Sequence, residues 1–112
     1  MENQHRQIKG YRELSQEEID LMNRIKAMGA ELLALQAELA GRLDTDYEVK
    51  LANACDAQRG TGFDVYQGAS SEAIEFRRFQ AAEPKRWAAI GKTDIQTGIM
   101  ALVRAVAQPA GV

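Results

Sequence analysis

The chain has 112 residues, 46% of them apolar and 27% charged, a length and balance that predict one folded domain over residues 1–112 and exclude a disordered chain. A net charge of −2 supplies no bulk attraction for DNA, RNA or an anionic membrane, so any anion site must be a local cluster of cations. Cys55 is the single cysteine and His5 the single histidine, which excludes an internal disulfide and a metal site of that ligand type; no metal and no cofactor are expected.

Residues 1–14 read as a polar N-terminal arm with no apolar leader segment, carrying one aromatic, Tyr11, between Lys9 and Arg12. Ser15 and Glu18 then have the spacing of a capping box, and Leu14 and Ile19 occupy the two positions of a hydrophobic staple. This predicts a first long helix over 16–43. Along it, Leu21, Ile25, Met28, Leu32, Leu35, Leu39 and Leu43 recur at the rhythm of a packed seam. A second row, Ala27, Ala30, Ala34, Ala37 and Gly41, widens the apolar arc beyond what one neighbouring helix covers.

Residues 44–70 read in two ways. They extend the first helix as far as Gln58, or they form an irregular insertion with short strand alternation at Tyr47, Val49, Leu51 and again at Phe63, Val65; Gly60, Gly62 and Gly68 favour turns. A second long helix is predicted over 71–108, with Pro84 suited to a first helical turn, an apolar spacing from Trp87 through Ile90, Ile95, Ile99, Leu102 and Val106, and Pro109 and Gly111 as the stop. Gly91, Gly98 and Ala105 repeat along one line, and a glycine inside a helix costs about 1 kcal/mol relative to alanine. Close helix packing, within the chain or across subunits, is the expected compensation. The class predicted is all-α, a helical hairpin whose surplus apolar surface calls for a helical oligomer. No stretch supplies the roughly 18 apolar residues of a membrane span, and a cytosolic protein is expected.

Catalytic constellations are absent, so no enzymatic activity is expected. Cys55 sits in no nucleophile motif, the RGTGFD stretch lacks the lysine of a phosphate-cradling loop, and Glu17, Glu18 and Asp20 favour the helix dipole without further purpose. What remains is Tyr11 beside Lys9 and Arg12, with Arg24 and Lys26 following in the first helix: an aromatic face for a base and cations for phosphate. The alternative is that Tyr11 packs the arm onto a helix while the cations are solvated. Lys26 borders the apolar arc beside Met22 and Gly29, not the fully solvated face. Asn23, Lys92 and Arg104 are further polar candidates.

The stretch KRWAAIGKTDIQTGIMALVRAVAQP resembles the C-terminal helix of phage anti-CBASS sponge proteins, which share a helical-hairpin domain with the Thoeris anti-defence sponges. HRQIKGYRELSQEEIDLMNRIKAMGAEL is similar to the arm and first long helix of the same group. The two segments cover about half of the chain; residues 44–80 carry none of the resemblance and read as a longer connection than compact members have. The resemblance implies a short helical arm on a long antiparallel hairpin, assembled as a hexamer. It implies an anti-defence protein that sequesters cyclic dinucleotides such as cGAMP, without cleaving them, in the cytoplasm of the infected host. Tyr11 would stack on a base and Lys26 meet the phosphates; Arg12 and Asn23 are additional ligand-binding candidates from the sequence itself. Cyclic trinucleotides would occupy a separate site where three subunits meet, with Arg86 beside Trp87. DNA, RNA and membranes are not expected partners. The competing readings are a structural helical oligomer without a ligand, a small nucleic-acid-binding phage regulator and, disfavoured by the missing metal ligands, a phosphodiesterase.

Overall fold

The computed structural model describes residues 12–110. Among them are three helices and no strand: α1 (Gln16–Gln58), α2 (Ser71–Ala82) and α3 (Pro84–Ala107). Residues 12–14 of the arm are not helical, and residues 1–11 lie outside the described residues.

α1 starts as its capping residues dictate. The Glu18 amide donates to Ser15 Oγ at 3.1 Å and the Ser15 amide donates to Glu18 Oε1 at 2.9 Å, so two orphan N–H groups are satisfied reciprocally. The helix runs past residue 43 to Gln58, which selects the extension over the strand-bearing insertion: Tyr47, Val49 and Leu51 are helical, and Phe63 and Val65 lie in the loop that follows. Residues 42–59 contain neither proline nor glycine, so nothing in the backbone interrupts the ladder. The turn comes at Gly60 and Gly62, whose φ values of 79° and 84° are open to glycine at little cost.

The helix predicted over 71–108 is two helices. Pro84 disfavours the right-handed helical conformation in the residue before it, and Glu83 stands instead at φ 51°, ψ 48°, its amide donating to Gln80 O at 3.1 Å. Ser70 caps α2, its hydroxyl accepting from the Ala73 amide at 3.1 Å. α3 ends one residue early, with Gln108 at φ 49° and its amide donating to Arg104 O at 2.8 Å.

By backbone packing the described residues divide into two compact units, residues 12–35 with 92–110, and residues 36–91. In the first, α1 and α3 lie antiparallel. Gly29 is buried in their contact, and a Cβ there would overlap Ile99 Cδ1 and stand 2.6 Å from its Cγ1. Much of the leucine row is left uncovered by the chain itself: Met28 is 70% exposed, Leu32 49% and Leu35 59%. A Cβ added at Gly98 in this unit, or at Gly91 in the other, would meet no atom within 4 Å, so neither glycine serves a close approach inside the chain.

The second unit holds the true core. Phe76 is fully enclosed among Ala54, Val65 and Ala73, with Tyr47 and Leu51 packed against them, and its ring meets those of Tyr47 at 5.7 Å and Tyr66 at 6.1 Å. The loop that closes this core is held by the buried Gln58. Its Nε2 donates to Thr61 Oγ1 at 2.9 Å and Phe63 O at 3.3 Å, and its Oε1 accepts from the Ser70 amide at 3.2 Å. Gly68 faces the Gln58 side-chain amide so closely that a Cβ would collide with it. Gly68→Ala should therefore displace Gln58 and cost about 1–3 kcal/mol, the range of overpacking and of an orphaned buried polar group; denaturant unfolding measures it, and an unchanged midpoint would contradict the lock.

Candidate ligand-binding site

Arg12 is the first described residue, and its guanidinium is almost fully occupied. Nε donates to Ala107 O at 3.1 Å and Nη2 to Val106 O at 2.8 Å, so two of the unpartnered carbonyls at the end of α3 are satisfied. The same group forks onto Glu18, Nη2 to Oε2 at 2.6 Å and Nη1 to Oε1 at 3.4 Å. A cation thus sits at the negative end of α3, and a carboxylate in the first turn of α1 at that helix's positive end. This placement has no signal in the sequence beyond the capping box itself. Glu18 reads as a cap for Ser15, and it also holds Arg12.

Asn23 and Lys26 stand three residues apart on α1, hence on one side of the helix, and both are exposed. No carboxylate of the described residues lies within ion-pair distance of Lys26, whose neighbour Ile25 lines an apolar groove of about 670 Å³ with Met28, Leu32, Ile95, Ile99 and Leu102. Tyr11, the aromatic that the sequence points to first, lies outside the described residues, one peptide bond from Arg12. Arg24, Lys92 and Arg104 are all exposed.

Arg86 belongs to the second unit. Its guanidinium carbon lies 5.2 Å from the Trp87 ring centre and Nη1 is 3.8 Å from Glu83 Oε2, beside a small cleft of about 240 Å³ that also includes Tyr47 and Lys85. Lys85 Nζ stands 5.0 Å from the Tyr47 ring and 3.1 Å from Asp44. Cys55 is exposed, and among the described residues no three His, Cys, Asp or Glu side chains gather as metal ligands. No helix of the described residues is long and apolar enough to cross a membrane.

The family model described as "Acb2/Tad1, hairpin domain" matches residues 3–107. The chain is also similar to "Anti-CBASS protein 2" of Pseudomonas phage JBD67, 66% identical over 111 residues that make up 99% of each chain. Residues 44–80 fall inside both matched spans, so relative to that protein they are not a long insertion, contrary to what the end segments alone suggest.

Among the described residues two carboxylates are held far below their ordinary range. Glu18 is lowered from 4.5 to about 2, chiefly by its hydrogen bonds from Arg12 and then by the Ser15 amide. Glu75 is lowered from 4.5 to about 2 by Arg78 and then Lys50, with Glu75 in turn raising Arg78. A depressed folded-state value means that stabilisation is complete above the unfolded value near 4.5 and is lost as pH falls through about 2. Thermal melting between pH 6 and pH 2 should show a falling midpoint across this window, and Glu18→Gln should flatten part of the fall. An equally steep profile in the variant would remove Glu18 from the account.

Proposed function

This chain belongs to the Acb2/Tad1 hairpin-domain family, and from that membership we propose that it is a phage anti-CBASS protein that binds and sequesters cyclic oligonucleotide second messengers without degrading them. The observation that carries the reading is the 66% identity, across 99% of both chains, to a protein named Anti-CBASS protein 2. The chain works in the cytoplasm of the infected host. Its ligands are cyclic dinucleotides such as cGAMP, with cyclic trinucleotides at a second site to which Arg86 contributes.

The exposed Lys26 supports the assignment of a phosphate contact, and Tyr11 supplies the stacking face. A cyclic dinucleotide is nearly two-fold symmetric, so two subunits facing one another grip both halves with the same pair of residues. A stacked base is worth about 1–3 kcal/mol and a hydrogen bond to a charged group about 1.5–3 kcal/mol. Doubled by symmetry, these terms exceed the cost of ordering a small ligand, and no catalytic group is required. The subunits associate as a hexamer through the face that the single chain leaves uncovered, from Met28 to Leu35 on α1 and around Gly98 on α3. Asn23 and Arg12 flank the dinucleotide site, and DNA, RNA and membranes are not partners.

Titration calorimetry with a panel of cyclic di- and trinucleotides, followed by chromatography of the ligand recovered after denaturation, tests the proposal. Intact ligand is expected back, and Tyr11→Ala and Lys26→Ala should each weaken dinucleotide binding by about tenfold or more, since about 1.4 kcal/mol is a factor of ten. Absence of binding across the panel would leave a structural oligomer, and linear products would indicate a phosphodiesterase. For the assembly, Leu32→Glu should shift the mass measured by sedimentation towards the monomer while helicity is kept; an unchanged mass would exclude this face as the interface.

A further inference from the structure

We infer that Arg12 is a positioning residue for the proposed site, a clasp that anchors the arm carrying Tyr11 to the hairpin, and not a residue that touches the ligand. The inference rests on the sponge reading and deepens it. It starts from the donors of the guanidinium. Four hydrogen bonds, to Val106 O, Ala107 O and both oxygens of Glu18, use Nε, Nη1 and Nη2 together. A guanidinium has five N–H groups in a fixed plane, so the fork that would meet a phosphate in bidentate fashion is already committed. The charge is committed as well, because Glu18 lies at 2.6 Å and is held ionised.

The partners of Arg12 belong to helix ends that are fixed by their own caps. Glu18 is locked in place by Ser15 at the start of α1, and the α3 carbonyls precede the left-handed Gln108. Arg12 therefore ties the chain at residue 12 to two rigid elements at once, one peptide bond from Tyr11 in the sequence. If losing the clasp leaves about a tenth of arms in the competent position, the apparent affinity falls about tenfold with no ligand contact removed.

The test uses the full chain and a 3′,3′-linked cyclic dinucleotide in calorimetry, with Arg12→Ala and Glu18→Gln compared with wild type at matched mass and melting temperature. Glu18→Gln keeps an oxygen for the Ser15 amide and discards the ion pair, so it loosens the clasp without adding or removing a cation. Both variants should bind about tenfold more weakly, Arg12→Lys should not restore affinity, and amide exchange at residues 12–14 should accelerate while that of α2 is unchanged. Arg12→Ala should cost little further in a Tyr11→Ala background yet remain additive with Lys26→Ala, a pattern that a general structural defect does not produce. If Glu18→Gln binds as well as or better than wild type while Arg12→Ala binds worse, Arg12 touches the ligand and the inference is overturned. A wild-type chain that takes up no dinucleotide overturns the sponge reading, and this role with it, whatever the variants do.

Discussion

Two helices packed side by side can bury one stripe of each, and this chain carries more apolar surface than one stripe. In the unit formed by the start of α1 and the end of α3, the Gly29–Ile99 contact brings the backbones close, while Met28, Leu32, Leu35 and Leu102 stay in contact with water. Full burial of such a side chain is worth about 1.5–3 kcal/mol, and each of these half-covered residues forgoes a good part of it. On the proposed reading a second copy that covers the row recovers that stabilisation, and Gly98, where an added Cβ would meet no described atom within 4 Å, leaves space for it.

Where apolar burial is thin, directional bonds have to set the register. In the first unit that task falls to the Arg12 fork, which joins the start of α1 to the end of α3 through Glu18, Val106 and Ala107. An exposed ion pair taken alone contributes about 0–1 kcal/mol. Arg12 does more than pair, because its remaining donors satisfy helix carbonyls that have no intrahelical partner. The second unit works the other way round: Phe76 provides an enclosed aromatic core, and Gln58 holds the loop over it by hydrogen bonds to Thr61, Phe63 and Ser70.

Local signals in the sequence translate directly into structure where they act over a few residues. Ser15 and Glu18 mark the start of α1, and Pro84 the start of α3, because a cap or a missing N–H acts within one turn. The same proline also ends the preceding helix through Glu83, a consequence that apolar spacing alone does not reveal when residues 71–108 are read as one helix. Contacts between distant residues are not legible. Nothing in a list of side chains says that Arg12 meets carbonyls 94 and 95 positions away, or that Gln58 fills the space beside Gly68. Of the candidate site, Lys26 and Asn23 are readable as exposed helical positions, Arg12 is readable as a cation but not as a partner of helix-end carbonyls, and Tyr11 stays an assignment from the sequence and its family resemblance.

On the proposed reading, the energetics of a short arm explain why a clasp belongs beside a stacking residue. Ordering one residue of backbone costs about 1–2 kcal/mol, and immobilising a side chain at an interface about 0.5–1.5 kcal/mol. A base stacked on tyrosine returns about 1–3 kcal/mol. An arm that had to be ordered over several residues at the moment of binding would therefore cancel the stacking it provides. Fixing the chain at Arg12 moves that cost from binding to folding, where the helix ends supply the compensating hydrogen bonds. The tyrosine then contributes most of its stacking energy to affinity. For a protein that acts by retaining its ligand, affinity is the property on which function depends.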